Sequence, residues 1–263
     1  MSTGKENEWT TEDWKRKLKQ QAEETREYRY KIYERADLKN KKKILDVGCG
    51  TGAITADIAS LTSGEVIGLD IDPEKLKQAE ILLSDLPNVT LMEGDVLNLS
   101  FEDETFDLVV FNILLMYIKD KQKAVDEMTR VTKKGGIVLA TLEPDYAGII
   151  EYPENPATPL LTKQMEELGA DLYAGRKLKF LFNTAGLKTV VKMDIDADFI
   201  LPEDDEKILR LLEDEFWMFE KLLQKNGWTT DEIEKFRIEE TEIIRKGLSF
   251  SLMPMFYAIG GKV

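Results

Sequence analysis

The apolar positions of the chain fall into two kinds of run that take turns. Lys43 to Val47, Val66 to Asp70, Asn88 to Met92, Phe106 to Phe111 and Ile137 to Leu142 are short and largely apolar. Such runs predict strands, the most continuous of them buried on both faces. Between them, Ala53 to Leu61, Pro73 to Leu83 and Asp120 to Thr132 read as helices. Pro73 stands at a favoured first-turn position, and Gly135-Gly136 breaks the third helix. Strands alternating with helices at this spacing imply an α/β, doubly wound, mostly parallel sheet. Ahead of the first strand, Trp14, Leu18, Gln21 or Ala22, Thr25, Tyr28, Ile32 and Tyr33 recur at spacings of three and four. They give one narrow, partly aromatic stripe on a charged helix over 9–36, which either docks on the domain or covers a site. After Glu143 the pattern changes. Pro144, Pro153, Pro156 and Pro159 mark a loop. Helices follow over 162–168, 176–185, 203–224 and 231–246, the last capped by Thr230, with strands over 187–193 and 255–260. The sheet then has seven strands, and a helical insertion over 202–247 precedes the last one.

One stretch organises the rest. Ile44 to Ala53 reads Ile-Leu-Asp-Val-Gly-Cys-Gly-Thr-Gly-Ala, a strand running into a turn with glycine at Gly48, Gly50 and Gly52. Glycine permits positive φ and close approach of a ligand to the main chain. The N–H groups opening the next helix, with the positive end of its dipole, then face that ligand. A nucleoside-like molecule is the expectation. Asp70 ends the second strand 22 positions after Gly48, where a carboxylate accepts from ribose hydroxyls. The turn is Gly-x-Gly-x-Gly, and Asp46 precedes it inside the strand. A carboxylate there, close to the ligand, suits an ammonium group better than a pyrophosphate.

Composition narrows the chemistry. The chain has 263 residues, 43% of them hydrophobic, enough for a sizeable core. A net charge of −14 disfavours a nucleic-acid partner. Cys49 is the one cysteine, which suits a cytoplasmic location, and no apolar run is long enough to insert in a membrane. There is no histidine, so the commonest general base and metal ligand are missing.

Ile44 to Gly52, Gly68 to Asp72, Glu93 to Val96 and Phe106 to Tyr117 together resemble the successive motifs of class I S-adenosylmethionine-dependent methyltransferases. The resemblance covers Tyr28 to Leu142 well and is nearest to the small-molecule, ubiquinone/menaquinone-biosynthesis-like branch. It implies a Rossmann-like fold in one domain: an N-terminal lid helix, a cofactor-binding core over 43–142 and a substrate-side half over 143–263. It further implies that S-adenosyl-L-methionine is the cofactor and S-adenosyl-L-homocysteine its product. Asp46, Gly48, Gly50 and Gly52 would surround the methionine part. Asp70 would hold the ribose, Ile71 the adenine face, Asp95 the adenine amino group and Val96 a main-chain contact. Asn112 and Leu115 would close the pocket beside the methyl group. Arg26 and Tyr28, in a Gln-x-x-x-Thr-Arg stretch, would cover the cofactor.

Methyl transfer from a sulfonium is an in-line displacement, governed by positioning. It requires no metal. A base is needed only for a protonated acceptor, and the candidates are Glu143, Tyr117 and Tyr146, with Asp145 beside them. Tyr28, Tyr117 and Tyr146 are also candidates for cation–π contact. Phe216, Trp217, Met218 and Phe219 read either as a lid or pocket wall or as core. The expected partner is a small-molecule acceptor, and the chain a monomer or homodimer. Three other functions compete: a non-catalytic cofactor-binding module, a protein methyltransferase and an NAD-dependent oxidoreductase, the last opposed by Asp46.

Overall fold

Four of the five residues of β1 (Lys43–Val47) are buried, and the strand lies inside a sheet. Burial on both faces is what its unbroken Ile-Leu-Asp-Val run requires. The structure, a computed structural model, describes residues 11–193 and 216–263. The chain divides into two compact units.

The first unit comprises the residues up to Pro144, Ala174–Met193 and Met255–Val263. In it β1 pairs in parallel with β2 (Glu65–Asp70) on one side and with β4 (Phe106–Phe111) on the other. β3 (Val89–Glu93) continues the sheet beyond β2, and β5 (Thr132–Pro144) continues it beyond β4. With β7 (Lys188–Met193) and β9 (Met255–Gly261) the order is β3-β2-β1-β4-β5-β9-β7. β9 runs antiparallel to both its neighbours. Strand order reverses between β1 and β4, and ligands of open α/β sheets bind outside the carboxyl ends of the strands at such a reversal.

The helices that cross between strands are α3 (Ala53–Leu61), α4 (Pro73–Leu82) and α5 (Lys121–Val131). Asp72 caps α4 by accepting from the Glu74 N–H at 2.9 Å, with Pro73 in the first turn. Asp120 caps α5 through the Lys123 N–H at 3.1 Å. β5 is longer than its apolar run predicts. Thr132 already pairs with Phe106, and a register shift before Leu108↔Ile137 absorbs the glycine pair as an irregularity inside the strand.

The expected single N-terminal helix is two, α1 (Thr11–Glu24) and α2 (Arg26–Arg35). Thr25 interrupts them: its hydroxyl donates back to the Gln21 carbonyl at 2.6 Å, a bond that bends helices. α2 docks on the sheet. Ile32, Tyr33 and Ala36 are buried with Ile44, Ile58, Leu108 and Leu139. Arg29, fully buried, donates to Asp57 of α3 and to the Ala22 carbonyl at 2.8 Å. On the other side, Leu178, Leu181 and Phe182 of α7 (Ala174–Thr184) pack with Phe106, Val109, Val138 and Ala258.

The second unit comprises Asp145–Tyr173 and Asp194–Pro254. Its described parts include α6 (Thr158–Glu167), a helix over 216–225 (α8) and α9 (Thr230–Arg245). The first part of the expected 203–224 helix lies outside the described residues. Ala157, Leu223, Ile233 and Phe236 form the unit's own core, with Phe216, Phe219 and Trp228 packed against it. Two aromatics of the Phe216–Phe219 cluster thus serve packing. Thr229, one residue before the expected cap, caps α9: Glu232 closes a reciprocal capping box with it. β6 (Ile150–Tyr152) and β8 (Phe250–Leu252) pair antiparallel as a small second sheet. Strands of three residues carry no readable alternation, so neither was expected. Among the described residues, no helix is long and apolar enough to cross a membrane.

Candidate functional site

The carboxyl ends of β1, β2, β3 and β4 lie side by side, with Val47 paired to both Leu69 and Phe111 and Asp70 to Glu93. The glycine turn rises from the first of them. Gly48, Gly50 and Gly52 have φ of +72°, +54° and +86°. At Gly48 the positive φ favours glycine, and a Cβ there would lie 2.8 Å from the Leu114 terminal methyl, which would have to shift to admit it. The Gly48 and Cys49 N–H groups donate to the Leu69 carbonyl at 2.7 and 3.0 Å, which ties the turn to β2. α3 then starts directly, its first N–H groups at the turn.

Asp46 is buried, and its carboxylate accepts from the Thr55 hydroxyl at 2.6 Å. Burial pushes its carboxyl up to about 7, the Thr55 bond opposing and the Asp70 charge adding to the rise. The Arg29 charge also opposes the rise, and a further cation placed beside this carboxylate would favour its ionised form. The Asp70 carboxylate bridges the turn: one oxygen accepts from the Gly50 N–H at 2.8 Å and the other from the Asp72 N–H at 2.9 Å. Next to it Ile71, an apolar side chain, is 66% exposed. Asp95 is exposed, and one of its oxygens accepts from the Leu97 N–H at 2.8 Å; Val96 behind it is buried. These groups suit a ligand with a cationic amine, a diol and a flat apolar ring.

After β4 the chain turns sharply. Asn112 accepts from the Thr141 hydroxyl at 2.7 Å, and Ile113 has φ of +48°. A β-branched residue in the left-handed region costs about 1–3 kcal/mol and persists only where its surroundings hold it. Here the Ile113 N–H donates to the Leu142 carbonyl at 2.8 Å. Glu143, fully buried, accepts from the N–H groups of Leu114 and Leu115, each at 3.2 Å, and of Met116 at 2.7 Å. Burial pushes this carboxyl up to about 7 against those three bonds and the Lys121 charge.

The expected site residues therefore separate. Asp46, Gly48, Gly50, Gly52, Asp70 and Ile71 surround the turn or adjoin it, and Asp95, Val96 and Asn112 follow neighbouring strand ends. Leu115 is wholly buried in the core, and Leu114 is the side chain that lies against Gly48. Arg26 pairs with Asp57 at 3.2 Å, and Tyr28 packs edge-on against Tyr257 at 6.3 Å between centroids. Of the candidate bases, the Glu143 carboxylate is engaged by main chain, Tyr117 is half-exposed at the end of the Leu115–Tyr117 turn, and Tyr146 belongs to the second unit. Thr55 and Leu114 went unread. Each acts on a residue distant in sequence, and no local motif announces it.

A doubly wound sheet that ends its first strand in a buried aspartate and a three-glycine turn, with a second aspartate folded onto that turn, has the cofactor frame of an S-adenosylmethionine-dependent methyltransferase. Comparison with known proteins agrees. Residues 38–213 match the family described as a methyltransferase domain. The demethylmenaquinone methyltransferase of Staphylococcus carnosus is 33% identical over 185 residues, 64% of this chain and 77% of that protein. Its namesake in Staphylococcus aureus (strain MRSA252) is 30% identical over 186 residues, 68% of this chain and 76% of that one. In fold the chain is similar to the phosphoethanolamine N-methyltransferase 2 of Haemonchus contortus, solved with phosphomonomethylethanolamine and S-adenosylhomocysteine. That likeness has a TM-score of 0.58 at 18% identity, over 88% of this chain and 52% of that longer one. A putative methyltransferase of Bacillus halodurans C-125 gives 0.55 at 20% identity, over 89% and 99%. The chain belongs to the class I S-adenosylmethionine-dependent methyltransferases, in their small-molecule branch. It is an enzyme that uses S-adenosylmethionine as methyl donor and leaves S-adenosylhomocysteine.

Proposed function

We propose that this enzyme methylates an activated carbon of a small hydroxylated aromatic acceptor. The observation that carries this reading is the pair of relatives, at 30–33% identity, named for a demethylated menaquinone. The chemistry is compatible. The electron-rich ring carbon bonds the methyl as the S–CH3 bond breaks, S-adenosylhomocysteine leaves, and the ring C–H proton is lost to water as aromaticity returns, so the step needs little help from a base; the chain has no histidine to offer.

When bound, the donor supplies an electrophilic methyl on a sulfonium. The protein's part is placement. Asp46 holds the amine, its Thr55 bond fixing the carboxylate's orientation. Gly48, Gly50 and Gly52 leave room for main-chain contact. Asp70 exchanges or shares its bonds to the turn with the ribose hydroxyls. Ile71 and Asp95, with Val96 beneath, serve the adenine. Asn112 and the segment after it border the methyl group. Holding two reactants in line in this way is worth about 7–11 kcal/mol. The lone cysteine and the acidic charge fit work in the cytoplasm without a nucleic-acid partner.

The test is incubation of the full chain with S-adenosylmethionine and either 1,4-naphthohydroquinone or phosphoethanolamine, with products read by mass spectrometry. Ring methylation of the naphthohydroquinone is expected. Methylation of the amine alone would overturn the choice of acceptor.

A further inference from the structure

Glu143 has more to do than its place at the end of a strand suggests. Its carboxylate, on β5, gathers the N–H groups of three consecutive residues, Leu114, Leu115 and Met116, at the far side of the β4 turn. Those residues follow Ile113, whose positive φ bends the chain. The bend is pinned from β5 twice more, by the Leu142 carbonyl on Ile113 and by the Thr141 hydroxyl on Asn112. At its outer end the bent segment presents Leu114, and the Leu114 side chain fills the space a Cβ at Gly48 would occupy. A continuous physical path thus runs from the Glu143 carboxylate, through three main-chain bonds and one side chain, to the glycine turn. Removing the acceptor would leave three N–H groups without their partner and free the bend to relax.

We propose that Glu143 is a positioning residue: it locks the segment 112–116 so that Leu114 is seated on Gly48, and thereby sets the wall of the donor pocket. Its oxygens are committed to main-chain donors, so it does not take a proton from the acceptor. The inference rests on the reading that the donor lies over the Gly48–Gly52 turn.

The experiment uses Glu143→Gln, Leu114→Ala and the double variant of the full chain, with two readouts. Hydrogen exchange needs no donor and reports the lock directly. Exchange of the Leu114, Leu115 and Met116 amides should speed up at least tenfold in Glu143→Gln. Unchanged exchange there would overturn the lock whatever the donor does. Calorimetry with S-adenosylhomocysteine reports the pocket. Each single variant should weaken binding about tenfold, and the double variant hardly more than either, because both act through one contact. Glu143→Asp, which keeps the charge, should recover part of the affinity. Wild-type affinity in Glu143→Gln would instead favour a role as base and overturn the proposal. Should Glu143→Gln fail to fold, unchanged affinity in Leu114→Ala does the same. Failure of wild-type protein to bind S-adenosylhomocysteine would count against the donor reading, and the exchange result would still decide whether the lock exists.

Discussion

Asp46→Asn should make the ligand-free protein more stable and the enzyme worse. Burial moves the Asp46 carboxyl from its ordinary 3.8 to about 7. The folded state therefore holds more protons than the unfolded one between these values, and wild-type stability falls as pH rises through that window. The full penalty above pH 7 is about 4 kcal/mol, from 1.36 kcal/mol per pH unit. Asparagine carries no charge to bury and still accepts from Thr55, 2.6 Å away. Its neutral bond is weaker than the charged one by about 1 kcal/mol, which leaves a gain near 3 kcal/mol at pH 8. For a chain of this length that is roughly 6–12 °C in Tm. The gain should shrink toward zero as pH approaches 4, where wild-type Asp46 is itself protonated in the folded state. The assay is thermal unfolding of both proteins by intrinsic fluorescence, from pH 4 to pH 8 without donor. At pH 8 the same substitution should weaken S-adenosylhomocysteine binding about 10- to 100-fold, since one charge-assisted contact to its amine is lost. A Tm difference that does not grow with pH, or a variant less stable than wild type at pH 8, would refute the reasoning on burial. Unchanged affinity would refute the amine contact.

Asp70→Asn should raise the Kd for S-adenosylhomocysteine roughly 10- to 100-fold by calorimetry, because two oxygens that accept are replaced by one; an unaltered Kd would remove Asp70 from the ribose. Gly48→Ala should cost more than about 1 kcal/mol in urea unfolding, from the strained φ and the clash with Leu114 together. Pairing it with Leu114→Ala should recover part of that loss, and no recovery would show that the clash is absent. Arg29→Leu should destabilise by about 3–5 kcal/mol, since it leaves Asp57 buried with only Arg26 and Tyr30 near it. A urea midpoint equal to wild type would mean that the Arg29–Asp57 pair adds nothing net to the docking of α2.

The inner strands were legible in the sequence because burial on both faces writes itself as unbroken apolar runs. Lys43–Val47 matches the strand residue for residue, and Pro73 with Asp72 announced a helix start in local chemistry alone. The glycine turn was equally plain, since positive φ leaves few residue types to choose from. What escaped depends on partners far along the chain. Thr25 reads as an ordinary stripe position until its back-bond to Gln21 is seen. Gly135-Gly136 reads as a break, yet pairing with β4 carries the strand through it. Glu143 reads as an available base, whereas its bonds lie about 28 residues back in sequence. Leu115 and Leu114 are neighbours of one kind, and only the sharp bend at Ile113 decides which of them meets Gly48.

β9 is the last strand in chain order, yet it lies inside the sheet, between β5 and β7. A chain emerging from the ribosome can pair β1 to β5 one after another. β7, however, must wait while the residues leading to α8 and α9 are made, because among the described residues the only strand beside it is β9. The edges of β5 and β7 stay open until β9 arrives, and open edges invite pairing with other chains. Synthesis rate through residues 194–254 thus sets how long this exposure lasts, and removing Met255–Gly261 would make it permanent.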